Sequence, residues 1–64
     1  MIKGILQYEP QLELYSVLYG WNGYAALIDQ PDMRIRLSGA EEWQPWTAAP
    51  LASWIGKDVE LLEK

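Results

Sequence analysis

The run GYAALIDQPDMRIRLSG, from Gly23 to Gly39, carries the cleanest alternation in this chain. Met33, Ile35 and Leu37 point one way and Arg34, Arg36 and Ser38 the other, the period-2 pattern of a strand with one buried face. Tyr24-Ala-Ala-Leu-Ile28 reads as a strand just before it. Asp29-Gln-Pro-Asp32 reads as the turn between the two, because Pro31 presets φ at a central turn position and Asp32 can hydrogen-bond its own backbone. The expectation is a β-hairpin that organises the fold, with Met33, Ile35 and Leu37 as the floor on which a helix lands.

Upstream, Gly20-Trp-Asn-Gly23 is a turn, since Gly and Asn supply the positive φ of hairpin loops, and Trp21 is carried at its tip or base. Leu12 to Tyr19 has a strand pattern, with Leu12, Leu14 and Leu18 on one face and Glu13, Tyr15, Val17 and Tyr19 on the other. Ile2 to Tyr8 reads as the first strand. Pro10 cannot donate to a ladder and restricts Glu9 to extended geometry. The expectation is one long coiled strand, bent at Pro10, that passes from one part of a barrel to another.

Downstream, Ser38-Gly-Ala-Glu41 matches capping-box spacing and predicts a brief helix stopped by Pro45. Thr47 to Gly56 is the better helix. Thr47 serves as N-cap, Pro50 sits in the first turn, Leu51, Trp54 and Ile55 share a face, and Gly56 terminates. Lys57 to Leu62 closes the chain as a strand with Val59 and Leu61 inward.

The 64 residues make one domain, 1–64. A chain this short buries only about 60% of its unfolded surface, so the core is thin. No cysteine or histidine is present, which leaves no disulfide and no thiolate or imidazole metal site; four Trp and four Tyr supply the bulk instead. The expected class is mainly β: a small, partly open β-barrel of about four or five strands with one short helix before the last strand. The element order and the Trp54-Ile-Gly-Lys-Asp-Val59 entry to the final strand resemble an OB-type barrel. An SH3-like barrel or a small α+β roll is the alternative.

Five basic against nine acidic residues give a net charge of −4, a poor footprint for polyphosphate and one that disfavours nucleic acid as a partner. No stretch approaches the roughly 20 apolar residues of a membrane span, and polar residues interrupt the N-terminal apolar run before a signal-peptide core forms. A cytoplasmic protein with no membrane partner and no cofactor is expected.

Catalysis lacks its usual parts, the imidazole base and the thiol nucleophile. Asp29 with Asp32 reads as turn chemistry and Glu41 with Glu42 as a solvated helix start, so no catalytic and no metal residues are assigned. The aromatics remain. Trp54 belongs to the helix core face. Trp21, Trp43 and Trp46 lie in turns or loops where no period dictates burial. They are the candidate surface for a protein partner or for self-association, with recruitment into a thin core as the competing reading. Tyr15, Tyr19, Arg34 and Arg36 are the candidate ligand or nucleic-acid face that the OB-type resemblance implies, by stacking and phosphate contact. The competing reading is a solvated strand face whose arginines pair with carboxylates across the sheet. The leading expectation is a non-catalytic protein-interaction module, an acidic accessory or inhibitor protein. The second is an OB-type binder of single-stranded nucleic acid or a small ligand.

Overall fold

The computed structural model describes residues 1–63. Six strands form one antiparallel sheet: β1 (Ile2–Glu9), β2 (Leu14–Tyr19), β3 (Tyr24–Ile28), β4 (Arg34–Leu37), β5 (Gln44–Pro45) and β6 (Asp58–Leu62), in the order β3-β2-β1-β6-β4-β5. A 3-10 turn, Trp46–Ala48, and a one-turn helix α1, Leu51–Trp54, precede β6. The sheet is not closed: β3 and β5 are its two edges. The mainly β class with a short helix before the last strand is therefore as expected, with the two-residue β5 in addition.

The segments 24–28 and 34–37 are strands, but they do not pair with each other. β3 pairs only with β2, while β4 lies between β6 and β5. The turn itself is real: the Met33 N–H donates to the Gln30 carbonyl at 3.3 Å, with Pro31 and Asp32 between. Its carbonyls are held by Trp46, whose Nε1–H donates to Gln30 O at 2.7 Å and whose backbone N–H donates to Met33 O at 3.4 Å. The supposed hairpin is thus a crossover from one edge strand to the far side of the sheet.

That crossover forces curvature. In a flat sheet, four strand spacings would set β3 and β4 roughly 19 Å apart. A connection over residues 29–33 that contains a tight turn cannot span that, because a β-turn brings its ends within about 7 Å. The sheet curls instead, and the near-isotropic extents of 28 × 24 × 22 Å agree. β1 is the strand shared by both halves: residues 2–5 pair with β6 and residues 5–9 with β2. Ile5 pairs with both, and Gly4 precedes it. A Cβ there would meet the Leu18 carbonyl and lie 2.9 Å from Val17 Cγ1, so only glycine lets β2 approach this closely.

The single long strand bent at Pro10 that the sequence suggests is not formed: residues 2–9 and 14–19 are two strands that pair antiparallel with each other, because the chain reverses completely after Glu9. Pro10 lies in a full reversal, residues 10–13, closed by the Leu12 N–H to Glu9 carbonyl bond of 3.1 Å, with Glu13 in the left-handed region at φ 55°. The Gly20–Gly23 turn joins β2 to β3 as expected, with Tyr19 opposite Tyr24.

Cross-strand registers sort the side chains. One face carries Ile2, Gly4, Leu6, Tyr8, Tyr15, Val17, Tyr19, Tyr24, Ala26, Ile28, Ile35, Leu37, Val59 and Leu61. Leu6, Val17, Ile28, Ile35, Val59 and Leu61 from this face, with Met33, Leu51 and Trp54, form the core. Leu51 and Trp54 thus join Met33 and Ile35 in one core, as the sequence predicts, but Ile55, expected on the same face, does not. The inner face also holds the aromatic pairs Tyr8–Tyr15 and Tyr19–Tyr24, with centroids 5.0 and 5.8 Å apart.

Two helical expectations fail. Residues 38–43 form no helix; Ser38 does not cap, and the Ala40 N–H closes a turn onto the Leu37 carbonyl at 3.0 Å with Gly39 at φ 91°. The 47–56 helix is split, because Pro50 stands at the cap of α1 with ψ 65° and has no N–H to continue the 3-10 turn. Thr47 falls inside that turn and makes no cap. Ile55, at φ −57° and ψ 129°, has left helical geometry and is 48% exposed. Gly56, at φ 87°, then turns the chain so that its N–H donates to the Leu6 carbonyl at 2.8 Å, feeding β6 onto β1.

Candidate interaction site

Tyr15, Trp46, Thr47, Ala49, Pro50, Leu51 and Ala52 line an open cleft of about 350 Å³. Its lining is mainly apolar, and each wall has a local cause. Tyr15 is the second residue of β2, placed on the inner face by register opposite Tyr8 and Ile28. The Tyr8 ring meets it edge to face at 63°, which fixes its orientation. Trp46 starts the 3-10 turn, and its bond to Gln30 O holds the indole against the crossover. Pro50 and Leu51 follow where the 3-10 turn hands over to α1, with Leu51 reaching the core from the cleft floor.

The crossover segment that Trp46 grips is acidic in sequence. Asp29 and Asp32 flank the Gln30–Pro31 segment that Trp46 grips, and both are exposed. The cleft lining contains no basic residue. The site suits apolar side chains delivered by a partner segment that carries positive charge.

The three candidate tryptophans stand apart. Trp46 is half-buried in the cleft wall. Trp21, at the tip of the β2–β3 turn, is fully exposed at 104%. Tyr15 is the second residue of β2 and Trp21 lies beyond its end, so about six residues of extended chain, roughly 20 Å at 3.3 Å per residue, separate Trp21 from the cleft. Trp43, half-buried before β5, lies over Arg36 with the guanidinium carbon 4.2 Å from the ring centroid.

Tyr15 and Tyr19 are on the inner face, whereas Arg34 and Arg36 are on the outer one, so the structure does not bring these four together. Arg34 is exposed. Arg36 stands opposite Glu60 of β6; its NH2 group lies 2.7 Å from Glu60 Oε1 and its Nε–H donates to the same oxygen at 2.8 Å. It also donates to the Glu41 carbonyl at 3.3 Å. The hydrogen bond from Arg36 holds the Glu60 carboxyl below its ordinary value of 4.5, reinforced by the charges of Arg36 and Lys3 and the Gly39 backbone, against burial, which pushes it up. Glu60, only 6% exposed, was not singled out from the sequence, although it alternates with inward Val59 and Leu61. Ser16, wholly buried on the outer face, donates to Glu9 Oε2 at 2.8 Å, a second polar clasp the sequence did not mark.

Among the described residues, no group of three or more carboxylates is arranged to hold a metal ion, and no helix is long and apolar enough to cross a membrane. No family model, curated protein or solved structure matches the chain.

Proposed function

We propose that this protein is a non-catalytic interaction module, an acidic accessory or inhibitor protein of the cytoplasm that binds a protein partner through exposed aromatics. The observation that carries this reading is the open apolar cleft between Tyr15 and Trp46. A ring that serves only the core is packed on all sides, whereas these two leave an unfilled concave surface, one wall of which is bonded to the acidic crossover through Gln30. The partner favoured by this chemistry is a chain segment with one or two apolar anchors and a flanking Lys or Arg. Trp21 offers a second, separate contact, because a fully exposed indole has large area and little else to do.

Selection of peptides from a random display library, followed by chemical-shift mapping on the labelled protein, tests the reading. Binders should be rich in apolar and basic residues and should perturb Tyr15, Trp46 and residues 49–52. Binders that perturb only other surfaces, or an empty selection, overturn the cleft as the site.

The OB-type reading, a binder of single-stranded nucleic acid or a small ligand, draws on the barrel-like curl and on the tyrosine pairs of the inner face, which offer stacking surfaces. Arg36 is already engaged by Glu60 on the opposite face, whereas Arg34 is exposed and makes no ion pair among the described residues. Titration with short oligonucleotides at low salt separates the two readings; salt-dependent binding lost in Arg34→Ala favours the second.

A further inference from the structure

The two edges of the sheet are unlike. β5 is two residues long and contains Pro45, so it offers a partner almost no ladder. β3, the other edge, runs for five residues, Tyr24-Ala-Ala-Leu-Ile28, with neither charge nor proline. Natural edges are usually blunted by a lysine, a proline or a bulge, and β3 has none of these. Among the described residues, no backbone hydrogen bond from a loop or turn covers it.

We infer that β3 is the seat of a symmetric dimer, in which it pairs antiparallel with β3 of a second copy about a two-fold axis at Ala26. This register is self-complementary, as an isologous interface must be. It sets Ala26 against its own copy, Ala25 against Leu27, and Tyr24 against Ile28, so that Leu27 meets a small residue and the exposed Tyr24 ring lies beside the position of the already buried Ile28. On the outer face, Ile5, Leu18 and Ala25 already stand side by side in register, and Ile5 and Leu18 are 42% and 37% exposed. The row runs out to the β3 edge and continues onto Leu27 of the second copy. Charge allows it as well: the nearest carboxylate, Asp29, falls opposite Gly23 of the other chain, so two acidic proteins pair without setting carboxylates face to face. A foreign strand would gain the backbone bonds, whereas a second copy also extends this apolar row with its own Leu27, Ala25, Leu18 and Ile5. The interface lies on β3 and does not depend on the Tyr15–Trp46 cleft.

Sedimentation equilibrium and cross-linking test the proposal. The wild-type chain should be a dimer that dissociates on dilution. Ala25→Lys, at an exposed edge position, should weaken it about tenfold or more with an unchanged circular dichroism spectrum. The chain has no cysteine, so Ala26→Cys should form a disulfide-linked dimer under mild oxidation far faster than Ser38→Cys, placed on an exposed loop remote from β3 in the strand order. A chain monomeric at all concentrations overturns the inference, as does an Ala26→Cys rate equal to that of Ser38→Cys. A dimer indifferent to Ala25→Lys but lost in Trp46→Ala overturns it too, because association would then run through the cleft.

Discussion

Arg36 on β4 and Glu60 on β6 face each other across the ladder and close to 2.7 Å, with the Trp43 ring lying over the guanidinium. The arginine is engaged from both sides, by a carboxylate along its plane and an indole across its face. An exposed ion pair contributes little, but here the carboxylate is shielded by the sheet and accepts two N–H groups of one guanidinium. Arg36→Ala should therefore lower the denaturation midpoint clearly, whereas the exposed Arg34→Ala should stay within about 0.5 kcal/mol of wild type. Equal effects of the two substitutions in urea unfolding would refute this account of the pair.

The same pair predicts acid sensitivity. Glu60 has a folded pKa depressed below its ordinary 4.5, so its contribution is complete above that value and fades as pH falls through the lower folded one. Thermal scans between neutral pH and about pH 3 should show a loss of stability in wild type that is smaller in Glu60→Gln, which has no proton to take up.

Gly4 stands next to Ile5, the residue of β1 that pairs with both halves of the sheet. Adding a methyl group there drives it onto the Leu18 carbonyl, and backbone cannot rotate aside as a side chain does. Gly4→Ala should cost about 3 kcal/mol or more. A domain of this size rarely holds more than roughly 3–5 kcal/mol in its core. The variant should be largely unfolded by circular dichroism at room temperature, while Gly39→Ala, whose added Cβ meets nothing but whose φ is 91°, should lose less.

Trp46 joins fold and site. Trp46→Phe keeps an aromatic wall for the cleft but removes the Nε1–H bond to Gln30 O, at a cost of about 1 kcal/mol. Peptide binding in the cleft should survive in part, and the crossover around residues 29–33 should show faster amide exchange. Unchanged exchange there would mean that the indole does not brace the turn.

Trp21 should behave in the opposite way. Its side chain is fully exposed, so Trp21→Ser should leave the unfolding midpoint within about 0.5 kcal/mol of wild type. Any partner that uses the hairpin tip should bind the variant several-fold more weakly, read by calorimetry.

The sequence by itself determined the strands 24–28 and 34–37, the turn at Pro31, the Gly20–Gly23 turn, the inward set of Met33, Ile35, Val59 and Leu61, and the pairing of Leu51 with Trp54. All of these rest on short-range periodicity or on residues with restricted φ, which act over a few positions and survive in any tertiary context. What only the tertiary structure decided is which strand lies beside which. β3 and β4 look like a hairpin because they are adjacent in sequence, but each finds its ladder elsewhere, β3 on β2 and β4 on β6, and Trp46 takes the carbonyls of the crossover between them. The close approach of β2 to Gly4, the partner of Arg36 and the cleft between Tyr15 and Trp46 follow from that pairing. Each joins residues distant in the chain, and no local pattern records a contact whose two halves are brought together only when the sheet curls.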